Sequence, residues 1–182
     1  MADLLSTIAG GVLAIAGGFA AKFAADRREE NSLRSAFIGE LRALKKLVDR
    51  QELMQKIDQR IERIQKEQSP SFFRANILST YNTVFLANAG KLGVLHQPAP
   101  ERIIDVYSHM AAVVEMIAIS KQARDDQKNG RLTGSLQYVE ACLEFHKRLR
   151  ALMRDTRHLL INLINDLEGV TAEWQSRAER KI

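Results

Sequence analysis

Cysteine, proline and aromatic residues are scarce in this 182-residue chain, and each scarcity narrows its class. The single cysteine, Cys142, excludes an internal disulfide framework and a thiolate zinc cluster built within one chain. That usage suits a reducing cytoplasm. The three prolines, Pro70, Pro98 and Pro100, mark only two junctions. Runs of β-branched residues bounded by turns, the mark of strands, are missing. Leu, Ala, Arg, Glu, Gln and Lys fill the chain instead, and these are strong helix formers, so an all-α fold is expected. With 46% apolar and 27% charged residues, a wholly disordered chain is excluded. The net charge of +5 favours acidic partners or anionic lipid without choosing between them.

Charge is absent altogether from Leu4 to Ala21. If Lys22 snorkels, the run reaches Ala25, about 22 residues or roughly 33 Å of helix, enough for a hydrocarbon core of ~30 Å. A secretion signal needs a positive start, and here Asp3 precedes the run with no Lys or Arg upstream. Lys22, Arg27, Arg28 and Arg34 follow it instead, which under the positive-inside rule puts the amino terminus outside. A core helix of a soluble bundle would carry a polar face, and Ser6 and Thr7 are the only polar side chains between Leu4 and Ala21. Residues 1–26 are therefore expected to be a transmembrane anchor, and 27–182 a cytoplasmic helical bundle. Gly10, Ala14, Gly18, Ala21 and Ala25 share one helical face. Such small-residue faces let helix backbones approach closely in lipid, so this one is the expected surface of self-association.

Beyond the anchor, residues 26–68 read as one long amphipathic helix with Leu33, Phe37, Leu41, Leu44, Leu47, Met54, Ile57, Ile61 and Ile64 on its apolar side. Part of that pattern is a short coiled-coil-like seam, with Leu47, Met54 and Ile61 seven apart. Asp26 with Glu29, or Asn31 and Ser32, could cap a fresh start near residue 30. Ser69–Pro70 ends the helix. A second helix is expected over 71–93, capped by Gly90 and Gly93. The third runs from about Glu101 to Asn129, with Pro100 in its first turn and Ile103, Val106, Tyr107, Met110, Val113, Val114 and Ile117 on its core face. The fourth runs from about Leu136 to Trp174 or beyond, with a stripe of Phe145, Leu149, Leu152, Thr156, Leu159, Leu163 and Leu167. Short connectors make an antiparallel four-helix bundle with a long first helix the economical packing.

Catalytic signatures are lacking. "NAGKLG" has neither the earlier glycine nor the following Ser or Thr of a phosphate loop, and no nucleophile elbow occurs. Cys142 and His146 stand four apart on one helix, a spacing that can place two ligands on one metal, but His109 or Glu115 would have to complete the set. Glu115 is the one carboxylate in an apolar stretch, open to a raised pKa or to pairing with a neighbouring arginine. Neither feature makes an enzyme, a metal site or a cofactor site, and none is expected. The best positive signal is a basic stripe, Lys147, Arg150, Arg154 and Arg157, opposite the leucine stripe. It could hold anionic lipid or a phosphorylated ligand, or it could pair with acids of the first helix. Without interleaved aromatics it is a poor nucleic-acid surface.

"STYNTVFLANAGKLGVLHQPAPERIIDVYSHM", residues 79–110, together with the "ELRAL" of Glu40–Leu44, resembles a segment recurring in small bacterial proteins of uncharacterised function. Those have one N-terminal membrane helix and a cytoplasmic helical domain. The resemblance implies bacterial origin and an inner-membrane layout, and it transfers no catalytic residues. The expected role is binding: a membrane-anchored homo-oligomeric scaffold or ligand-triggered effector in the lipid bilayer. The alternative is a soluble all-helical homo-oligomer with its first helix buried between subunits.

Overall fold

The computed structural model describes residues 2–50, 53–72, 81–130 and 136–179, with side chains from 18 to 169 apart from those of 47 and 50. Among the described residues there are helices and no strands, as expected for an all-α chain. The first helix, α1 (Ala2–Arg50), is unbroken over 49 residues, about 74 Å of rod. No new start occurs near residue 30. Glu30 and Arg34, one turn apart, pair at 2.5 Å across that position and both are buried, so these side chains tie two turns together.

The helix α2 (Leu53–Glu67) comes next, with Gln51 and Glu52 outside the described residues. It stops at Gln68, whose φ of 49° is left-handed and whose N–H still bonds the Ile64 carbonyl at 3.0 Å. Among the described residues the second expected helix is not continuous: Ser71, Phe72, Tyr81 and Asn82 are outside any helix. Residues 73–80 lie outside the described residues, and beyond them come α3 (Thr83–Asn88) and a 3-10 turn (Ala89–Val94) that takes in Gly90 and Gly93. The helices α4 (Ala99–Lys128) and α5 (Leu136–Glu179) match their expected spans.

Three apolar clusters are stacked along the molecule. At one end Leu33, Phe37, Leu41 and Leu44 of α1 pack with Ile103, Val106 and Met110 of α4 and Leu160, Leu163 and Leu167 of α5. In the middle Val48, Leu53 and Ile57 meet Val113 and Ile117 of α4 and Leu149 and Met153 of α5. At the other end Ile64 and Phe72 meet Val139 and Cys142. Residue numbers therefore rise along α1, α2 and α4 as they fall along α5. The core is carried by these long rods, and α3 with its turn packs against the first cluster. Periodicity placed the core face of α4 well: Ile103, Val106, Tyr107, Met110, Val113 and Ile117 are buried. On α5 the buried face is rotated from the leucine stripe, so that Met153, Leu160 and Ile164 are buried while Phe145, Leu152 and Leu159 are only partly so.

Among the described residues, one helix is long and apolar enough to cross a membrane, and it is the central α4. Its apolar face is already committed to the core, and a helix cannot give the same side chains to neighbouring helices and to lipid. The side chains before Gly18, which hold most of the apolar run, lie outside the described residues.

Candidate functional site

The first candidate is the N-terminal part of α1. Its side chains are exposed at every position from Gly18 to Glu29, and the first buried one is Glu30. Phe19 is 70% exposed and Phe23 60%, the latter with Arg27 lying over its ring at 4.6 Å. Over residues 18–29, α1 therefore stands clear of the bundle. Of the expected self-association face, Gly18, Ala21 and Ala25 are exposed, and Gly18 has room for a Cβ. Gly10 and Ala14 are on the same helix, but their surroundings lie outside the described residues. Arg34, counted in sequence among the cations after the anchor, is buried in the bundle with its side chain 5% exposed.

Where the rod enters the bundle, residues of α1, the start of α3 and α4 meet. Glu40 Oε1 accepts the Val84 N–H at 2.7 Å and Oε2 accepts the Phe85 N–H at 3.2 Å, so a carboxylate from α1 caps the start of α3. The Tyr107 hydroxyl donates to the same Oε2. The Phe85 ring stacks on Tyr107 at 4.4 Å, and Phe37 meets it edge-on at 6.4 Å. Burial, then the hydrogen bond and charge of Glu40, hold the Tyr107 phenol far above its ordinary value, so it acts as a donor and not as an acid. This is a structural knot.

The basic stripe has carboxylates of its own. Arg150 pairs with Asp58 of α2 at 2.6 Å and Arg157 with Asp49 of α1 at 3.1 Å, so these two guanidinium groups clamp α5 to the other rod. Lys147 pairs with Glu144 at 2.8 Å and Arg154 with Asp155 at 3.5 Å on α5 itself. Hydrogen bonds from Lys45 and then Arg157 hold Asp49 below the usual carboxylate range against the opposing effect of burial. The same pattern recurs in Arg42–Glu168 and Arg102–Asp166.

Cys142 and His146 are both buried, with Sγ and Nδ1 3.8 Å apart, but His146 Nδ1 lies 2.8 Å from the Cys142 carbonyl. The ring is thereby directed into its own helix and packs between Phe72 and Phe145. Burial pushes the thiol up and the imidazole down, so both are held neutral. Glu115 is exposed, and His109 is bound to the Asp105 carbonyl at 2.9 Å. No group of three metal-capable side chains forms among the described residues.

Sequence patterning missed a cavity of about 430 Å³ at the end of the bundle opposite the rod. Arg60, Arg63 and Glu67 of α2, the loop Ser69–Phe72, and Arg124, Gln127 and Lys128 of α4 line it. The loop is held from both sides, by Arg60 Nη1 donating to Ser71 Oγ at 2.8 Å and by Gln127 Nε2 donating to the Pro70 carbonyl at 3.0 Å. These residues belong to three separate segments, so no local spacing announces them.

Comparison with family models, with curated proteins and with solved structures finds no match to this chain. The fold and its surfaces are thus the whole basis for a functional reading.

Proposed function

We propose that the chain is a membrane-anchored helical binding protein of the bacterial inner membrane, a scaffold or ligand-triggered effector. In this reading residues 1–26 cross the bilayer with the amino terminus outside, and 27–182 form an antiparallel helical bundle in the cytoplasm. The observation that carries it is the continuity of α1: a rod with exposed Phe19 and Phe23 leaves the bundle in the direction of the charge-free run. Exposed apolar surface of that kind is covered by lipid or by protein. Lys22, Arg27 and Arg28 follow the run, where the inner-leaflet headgroups would lie. Protomers would meet through Gly10, Ala14, Gly18, Ala21 and Ala25, where small side chains permit close backbone approach.

In this reading the role is binding and not catalysis; Glu40, Tyr107, Arg150 and Arg157 are spent on holding helices together. The second reading, a soluble homo-oligomer with the rods buried between subunits, is motivated by the same exposed phenylalanines. Carbonate extraction of membrane fractions separates the two. Retention in the pellet is expected; release of the full chain into the supernatant overturns the anchor. Oxidative cross-linking of Gly18→Cys and Phe19→Cys then reads the contact face, with disulfide dimers expected for the first and not for the second.

A further inference from the structure

We infer that the cavity between α2, the Ser69–Phe72 loop and α4 is a binding site for a small soluble ligand carrying two or more phosphate charges. Among the described residues four cations, Arg60, Arg63, Arg124 and Lys128, line it against one carboxylate, Glu67, a surplus of three positive charges. Only Arg63 of the four has a carboxylate partner among the described residues, Glu67 at 2.9 Å. Elsewhere in the bundle arginines at helix contacts meet acids, as in Arg150–Asp58, Arg157–Asp49 and Arg42–Glu168. Like charges gathered in one concavity repel, and the arrangement becomes favourable when a multivalent anion enters.

The chemistry of the lining fits phosphate. Guanidinium groups bind phosphate oxygens through paired N–H bonds, and Lys128 adds a point charge. The hydroxyls of Ser69 and Ser71 add donors from the loop. Arg60 is half-buried, and burial together with the charges of Arg63 and Arg124 depresses its pKa against a smaller opposing effect of Glu67. The two hydrogen bonds that hold the loop make the concavity preformed, and a volume of about 430 Å³ admits a nucleotide-sized molecule. Asp125 and Asp126 stand nearby on α4 without lining the cavity, and Asp126 is engaged by Gln122 at 3.1 Å.

The cavity of about 270 Å³ at the other end is a weaker candidate. Arg34 there keeps Nε and Nη1 without a partner among the described residues, yet the two arginines of that cavity are already matched by Glu30 and Asp166. The far cavity also lies at the end away from the apolar rod, which favours a soluble ligand over a lipid headgroup. The inference stands whether the rod is held by lipid or by other subunits.

The test is calorimetric titration of the full chain in detergent with pyrophosphate, a nucleoside triphosphate and a water-soluble short-chain phosphatidylglycerol, each at constant ionic strength. Saturable binding of one or both soluble phosphates is expected, with affinity falling about tenfold or more in R124Q/K128Q. The paired control R150Q/R157Q removes two cations outside the cavity and should leave the affinity within about twofold. Circular dichroism confirms that each variant is folded, and R63Q serves as a second reporter if R124Q/K128Q is not. Absence of saturable binding by both soluble phosphates at millimolar concentration overturns the site. So does an equal loss in the control pair, which would mean diffuse electrostatics, or preference for the lipid.

Discussion

The two ends of the bundle use the same residue types to opposite effect. At the end where the rod emerges, Arg34 lies against Glu30, Arg102 against Asp166 and Lys91 against Glu29, and Glu40 spends both oxygens on Val84, Phe85 and Tyr107. At the far end Arg60, Arg63, Arg124 and Lys128 line a cavity in which, among the described residues, Glu67 is the one carboxylate. In the first arrangement each of these charged groups is matched by a partner from the chain, although Arg34 keeps Nε and Nη1 unpartnered among the described residues. The second is complete only with an anion from outside. Charge content alone does not separate them; charge matching does.

The largest effect expected from this contrast is at Arg34. Removing one partner of a buried pair typically costs about 3–5 kcal/mol, and among the described residues Glu30 would keep only the exposed His96, its Nε2 3.6 Å from Oε2. Arg34→Met should therefore lower stability strongly in urea unfolding of the detergent-solubilised chain. Adding Glu30→Leu should recover most of the loss, because an apolar pair of similar volume is close to neutral. If the single variant is as stable as the parent, the near end is not the self-sufficient one.

Next comes Glu40. Glu40→Ala leaves two N–H groups and a buried phenol without their acceptor, a loss of about 2–4 kcal/mol at typical values for hydrogen bonds to a charged group. The Phe85–Tyr107 stack should loosen with it, read as a change in near-ultraviolet circular dichroism. An unchanged aromatic signal would mean that the stack of the two rings, and not the carboxylate, organises α3.

Of the fold, the sequence disclosed what depends on one helix at a time. Phe37, Leu41, Ile103, Val106 and Met110 are buried because apolar spacing near 3.6 residues defines a face wherever the partner lies. The length of α3 was not legible. Its start is capped by Glu40, more than forty positions away, and Ala89–Val94 tightens into a 3-10 turn where an α-helix was expected. Pairing of the basic stripe with acids of the first helix was one of the readings open in the sequence, but which acid meets which cation was not legible: Arg157 reaches Asp49 only through the register of α5 against α1. Arg34 read as one more interfacial cation because burial depends on tertiary neighbours and not on its local pattern. The far cavity draws on α2, a loop and α4, and became visible only when those segments were set side by side.

A milder contrast lies in pH. His146, near the far end, has its pKa lowered from 6.5 first by burial and further by Arg60, against an opposing hydrogen bond to the Cys142 carbonyl. A group whose folded pKa is depressed binds its proton more readily when unfolded, so stability is full above the unfolded value and declines as pH falls below 6.5. Urea midpoints measured from pH 8 to pH 5 should fall over that window, and His146→Phe should flatten the decline if it folds. His146→Asn, smaller and uncharged, serves where it does not. A decline of the same size in both variants would place the titrating group elsewhere.

The smallest effect is the most discriminating, because the two ends should differ in sign. Arg102 is exposed and paired with Asp166, so Arg102→Gln removes an attraction and should lower stability by about 0.2–1 kcal/mol. Arg124 has like-charged neighbours, and its charge disfavours that of Arg60, so Arg124→Gln removes a repulsion. In phosphate-free buffer it should raise stability by a few tenths of a kcal/mol, the scale of partly exposed charge pairs. Raising the salt from 0.05 to 0.5 M should shrink both effects toward zero, since screening weakens attraction and repulsion alike. With pyrophosphate present the sign at Arg124 should reverse, because the residue then holds a ligand that favours the folded state. Loss of stability in Arg124→Gln without ligand would mean that the far end, like the near one, is balanced from within.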